Sequence, residues 1–126
     1  MPHKFQKSSA LVVEPNSKLV HPYDYLSEKL ILTKVQSVKH ANLELTRQQF
    51  SCFILSTSFS PEKQLSLLDA FKFNFKEQII PLLLVVDLTK PLSAVPGTLW
   101  GGRVAVLAHT ASKKLTLTSL DSIMSA

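Results

Sequence analysis

Four polar residues stand at or just beyond the ends of apolar runs, and these are the positions where the chain could do chemistry. Glu14 follows Ala10–Val13, Thr57 follows Cys52–Leu55 after one serine, Asp87 follows Ile79–Val86, and His109 follows Val104–Ala108. Glu14 and Asp87 could converge as a metal pair or an acid/base pair. The simpler reading is two solvated or helix-capping carboxylates. His109 would act as a base only beside a nucleophile, and Thr57 is the one candidate. The Thr57 hydroxyl stays protonated near neutral pH, and no general base adjoins it in the sequence. An open polar pocket joining Glu14, Asp87 and His109 would mark a small α/β enzyme or a small-ligand-binding domain. A closed strand-end region would argue against one.

The elements that must position these residues follow from apolar patterning. Residues 1–9 form a polar lead-in. Ala10–Val13 reads as a buried strand stopped by the turn Glu14-Pro15-Asn16-Ser17. A short or kinked helix is expected over Tyr23–Leu30, because Pro22 is tolerated only in a first helical turn. Ile31–Val38 alternates as an edge strand does, and Asn42 is a candidate cap for a helix to Gln49. The run Phe50–Phe59 reads as a central strand that breaks into Ser56-Thr57-Ser58. Ser60, Pro61 and Glu62 give the clearest helix start, with Leu65, Leu68, Phe71 and Phe75 assigned to one face. Ile79–Val86 and Val104–Ala108 are two further core strands. The turn-rich segment between them has room for a short helix at most. Leu117, Leu120, Ile123 and Met124 stripe a final helix. Strands alternating with helices imply a parallel sheet covered on both faces, whose functional groups gather at the carboxyl ends of the strands.

Composition narrows the class. At 126 residues and 45% apolar content, one domain spanning residues 1–126 can bury an ordinary core unaided. The single cysteine, Cys52, excludes an internal disulfide, and no Cys/His spacing suits a structural zinc site. The longest apolar stretch, Ile79–Val86, is interrupted by Pro81 and is too short for a membrane span, and no export signal is visible. A cytoplasmic setting is expected. The charge of +5 would favour nucleic acid or an acidic protein surface, but the basic residues are scattered and only Arg47 and Arg103 are arginines. Nucleic-acid binding is therefore not expected.

The strand ends resemble those of response-regulator receivers of the CheY-like family. Leu11-Val12-Val13-Glu14-Pro15-Asn16 is similar to that family's first strand and its magnesium-holding acid pair, with the second acid replaced by Pro15. Phe53 to Pro61 is similar to the third strand and its loop. Counting back four from Pro61 puts Thr57 at the phosphoacceptor aspartate. Ile80–Val86 resembles the fourth strand, with Val86 at the hydroxyl-bearing switch position, and the fifth strand ends at Ala108 or His109 without the family's Lys-Pro pair.

The resemblance implies a flavodoxin-like, doubly wound, five-stranded parallel sheet of order 2-1-3-4-5, with the fourth helix short or replaced by loop. It implies a degenerate pseudo-receiver without aspartyl phosphate chemistry, metal or other cofactor, because that chemistry needs an aspartate nucleophile and a divalent ion. A Ser/Thr kinase acting on Thr57 would restore negative charge there; a loop hydrogen bond is the plainer role for that hydroxyl. The partner expected is a protein: a kinase, an output domain or a second copy of the chain. The resemblance places the docking face near Leu92–Ala126, with Trp100, Arg103, Lys113 and Lys114 as candidate contacts. Packing over the sheet is the competing fate for Trp100.

Overall fold

Ala10, Leu11, Val12 and Val13 are all fully buried, which requires cover on both faces of the strand that carries them. The computed structural model describes residues 7–20, 22–73, 80–89, 100 and 103–124, and in it that strand is β1, Ser8–Val13. It pairs in parallel with β2 (Leu30–Val35) on one side and β3 (Cys52–Ser56) on the other. Beyond β3 lie β4 (Leu82–Val86) and β5 (Val104–Ala108), also parallel, so the order is β2-β1-β3-β4-β5. This is the flavodoxin-like sheet that the resemblance implies. The order reverses direction between β1 and β3, the switch point beyond which sites collect in such sheets.

Alternate residues of each strand feed two separate cores. Leu11, Val13, Phe53, Leu55, Leu82 and Leu84 face α2 (Val38–Arg47) and α3 (Pro61–Phe73), which contribute Ala41, Leu45, Leu67, Leu68 and Phe71. Ala10, Val12, Cys52, Ile54, Leu83 and Val85 face the other way. They meet Tyr23 and Leu26 from α1 (Tyr23–Leu26) and Leu120 and Ile123 from α4 (Lys113–Met124). Each fully buried aliphatic side chain contributes about 1.5–3 kcal/mol relative to exposure. Cys52 is one of these core residues, and burial pushes its thiol up to about 12.

Several sequence expectations shift. The first helix is a single turn, since residues 27–29 form a turn before β2. The second strand stops at Val35, and α2 begins at Val38 with Ser37 as its cap, rather than at Asn42. The third strand is the shorter Cys52–Ser56, and the fourth begins at Leu82. In α3 the inward residues are Gln64, Leu67, Leu68 and Phe71, whereas Leu65 is 43% exposed. Strand β5 is an edge strand with Val106 63% exposed, so it is not apolar-buried on both faces. Phe75, Ile79 and the expected short helix between β4 and β5 lie outside the described residues.

Trp100 is a core residue and offers no face to a partner. It is 1% exposed, its Nε1–H donates to the Ile80 carbonyl at 2.8 Å, and its ring meets Phe53 and Phe71 edge-on at 6.0 and 6.1 Å. Phe53 and Phe71 in turn stack at 4.2 Å.

Candidate functional site

The parallel register brings the ends of four strands together. Glu14 lies one residue beyond β1, Thr57 one beyond β3, Val86 closes β4, and Ala108 closes β5 opposite it. Main-chain bonds extend the ladder past these ends: Thr57 N–H donates to the Val85 carbonyl, and His109 N–H donates to the Val86 carbonyl. The residues selected from the sequence are thus placed at the carboxyl end of the sheet.

The side chains of Glu14, Thr57 and Asp87 are engaged with the protein itself. Glu14 is 6% exposed, and its Oε1 accepts from the Tyr23 hydroxyl at 2.7 Å. Its Oε2 accepts from Asn16 N–H at 3.1 Å, in the turn where the Asn16 side chain also caps Lys18 N–H. Burial first, then the Glu14 charge and hydrogen bond, then the Asp87 charge raise the Tyr23 phenol far above its ordinary value. Near neutral pH Tyr23 is therefore a protonated donor to Glu14.

Thr57 is 8% exposed, and its Oγ1 accepts from Asp87 N–H at 3.0 Å. Its carbonyl receives a long bond from Gln64 Nε2, which donates mainly to the Phe59 carbonyl at 2.7 Å. The hydroxyl is therefore a loop fastener, as local side-chain bonds of this kind usually are.

Asp87, 1% exposed, is the polar centre of the site. Its Oδ2 accepts from Ser58 Oγ, and its Oδ1 accepts from both the N–H and the hydroxyl of Thr89. Burial alone raises the pKa of this carboxyl. The bonds from Ser58 and Thr89 and the charge of His109 outweigh it and hold the group below the usual carboxylate range.

Tyr23 thus feels the charges of both Glu14 and Asp87, and Asp87 feels that of His109. A cleft of about 270 Å³ beside them is lined by Pro15, Gln36, Ser37, Val38, Ser58, Phe59, Ser60 and Lys63, and Glu14, Asp87 and His109 do not line it. Among the described residues, no three His, Cys, Asp or Glu side chains are placed to hold a metal ion. No helix among them is long and apolar enough to cross a membrane.

Solved structures with this architecture are numerous. A CheY-like receiver domain from Methylobacillus flagellatus superposes with a TM-score of 0.73 at 15% identity, covering 94% of this chain and 99% of that one. The chain has the receiver fold. The receiver domain of a sensor histidine kinase from Pseudomonas aeruginosa, which has a magnesium ion coordinated in its active-site cleft, matches with a TM-score of 0.71 at 15% identity over 96% and 100% of the chains. A receiver-modulated diguanylate cyclase from Pelobacter carbinolicus matches at 0.65 and 15% identity over 93% and 92%. No protein-family model matches the sequence, and no curated protein matches it.

The strand-end residues do not suit magnesium, which requires near-octahedral oxygen ligands and keeps several waters. Both Glu14 oxygens already accept hydrogen bonds, Pro15 has no side-chain oxygen, and the Asp87 carboxylate is surrounded by three donors. Three contributors to the site had no separate signal in the sequence. Tyr23 is nine residues from Glu14, Thr89 lies in a loop, and Ser58 was only one member of a hydroxyl cluster. Of the remaining partner candidates, Arg103, Lys113 and Lys114 are exposed, and Lys113 pairs with Glu28 at 2.9 Å.

Proposed function

We propose that this receiver-like domain regulates by contact with a protein partner and does not take up a phosphoryl group at Thr57. The observation that carries the reading is the state of Thr57. A hydroxyl occupies the position that the resemblance assigns to the acceptor aspartate, and that hydroxyl is buried and bonded to Asp87 N–H. A threonine there supplies no carboxylate nucleophile, and burial keeps a Ser/Thr kinase from reaching it. Glu14 and Pro15 supply no magnesium site beside it, so a pseudo-receiver without enzymatic activity is the reading these residues favour. The partner is a kinase, an output domain or a second copy of the chain, docked through the C-terminal face. Among the described residues of that face, Val106 and Leu115 are 63% and 53% exposed, flanked in sequence by Arg103 and Lys114.

Acetyl phosphate with magnesium tests the first half of the proposal. Intact mass spectrometry of the incubated protein is expected to show no phosphorylated species, and a stable adduct overturns the reading. Sedimentation of the wild type and of Val106→Glu at matched concentrations addresses the second copy. A dimer lost on substitution identifies self-association, and two monomers direct attention to a kinase or an output domain.

A further inference from the structure

Asp87 joins two loops that the sheet alone leaves separate. Ser58, in the loop from β3 to α3, donates to one carboxylate oxygen; Thr89, in the loop after β4, donates twice to the other. The Asp87 N–H donates back to Thr57 Oγ1, so residues 57 and 58 are both tied to residue 87. Ser58 is braced in turn, its N–H donating to Ser56 Oγ at 3.1 Å and its Oγ accepting from the Ser56 hydroxyl at 3.0 Å.

A carboxylate withdrawn from solvent is costly unless its lone pairs are met, and the three donors meet most of them. Hydroxyl and amide donors converging on one carboxylate at the carboxyl end of a parallel sheet form an anion cradle. Here the anion belongs to the chain itself.

We infer that Asp87 is a built-in anionic latch, which fixes the β3–α3 loop against the β4 loop in a single arrangement without any added group. The inference rests on the pseudo-receiver reading and names the regulation of that site: the loop arrangement is set by the fold and not by a transferred phosphoryl group. Removing a donor on one loop must then loosen the other. A set of merely local capping bonds has no such cross-loop effect.

Residue-resolved amide exchange on the full chain tests this with Ser58→Ala, a half-buried loop substitution outside the sheet. The Thr89 and Asp87 amides, on the opposite loop, are expected to exchange about tenfold faster, the change given by one lost hydrogen bond to a charged group. The Leu11–Val13 amides are expected to stay within about twofold, since that strand opens only with the sheet. In Asp87→Ala the Thr57 and Ser58 amides are expected to accelerate in the same way. An unchanged Thr89 amide in Ser58→Ala overturns the latch, whatever the folding of Asp87→Ala. The two readings fail separately: a phosphoryl adduct on the wild type counts against the pseudo-receiver, and unchanged loop exchange counts against the latch.

Discussion

At the scale of single residues, the decisive pair is Tyr23 with Glu14. A buried carboxylate needs donors, and the phenol supplies one that burial keeps protonated. Tyr23→Phe keeps the ring and removes the donor. It is expected to cost about 1–3 kcal/mol in denaturant unfolding, because it leaves a buried oxygen unsatisfied. The pH dependence follows from the direction of the shift. The folded Tyr23 pKa lies above the unfolded value of about 10, so its contribution is complete below that pH and declines as pH rises above it. Cys52, also raised by burial, adds a decline that begins nearer pH 8.5. Alkaline unfolding curves are therefore expected to fall less steeply in Tyr23→Phe than in the wild type. Glu14, Thr57 and His109 were legible in the sequence because each ends an apolar run, and so was Asp87. The loop bond of Thr57 was legible too; the engagement of Glu14 and Asp87 was not. It depends on a one-turn helix that swings Tyr23 back over the end of β1, and on a loop that delivers Ser58 and Thr89 to one carboxylate.

At the scale of elements, local signals competed and packing chose between them. Alternation continues through Val38, and both Ser37 and Asn42 are good caps. Ser37 is extended at φ −142° and ψ 161°, and its Oγ accepts from His40 N–H. Starting the helix there puts Ala41 and Leu45 one turn apart on the buried face, with Val38 against the same cluster. A start at Asn42 would leave Ala41 outside the helix. Ser37→Ala is expected to destabilise the protein by about 1 kcal/mol, whereas Asn42→Ala is expected to stay within about 0.5 kcal/mol; paired thermal melts check this. The same competition moved Leu65 outward in α3, where Gln64 turned in to bond the Phe59 carbonyl. Composition alone marks β5 as a core strand and does not reveal that it lies at the edge of the sheet.

At the scale of the whole molecule, the sheet separates two cores that share no side chain, each closed by its own pair of helices. The alternation of strand and helix made this architecture readable, since parallel strands buried on both faces need helices on both sides. The order β2-β1-β3-β4-β5 came instead through the family resemblance, because periodicity does not order strands. The burial of Trp100 has an optical consequence. It is the only tryptophan, it lies in the core beneath α2 and α3, and Tyr23 lies in the opposite core. Indole emission thus reports on one half of the molecule and, in Tyr25→Phe, phenolate absorbance reports on the other, with no label added. If the halves unfold together, the red shift of the indole and the appearance of the Tyr23 phenolate at alkaline pH trace one coincident transition. Separated midpoints would make the sheet a boundary between two units that melt on their own.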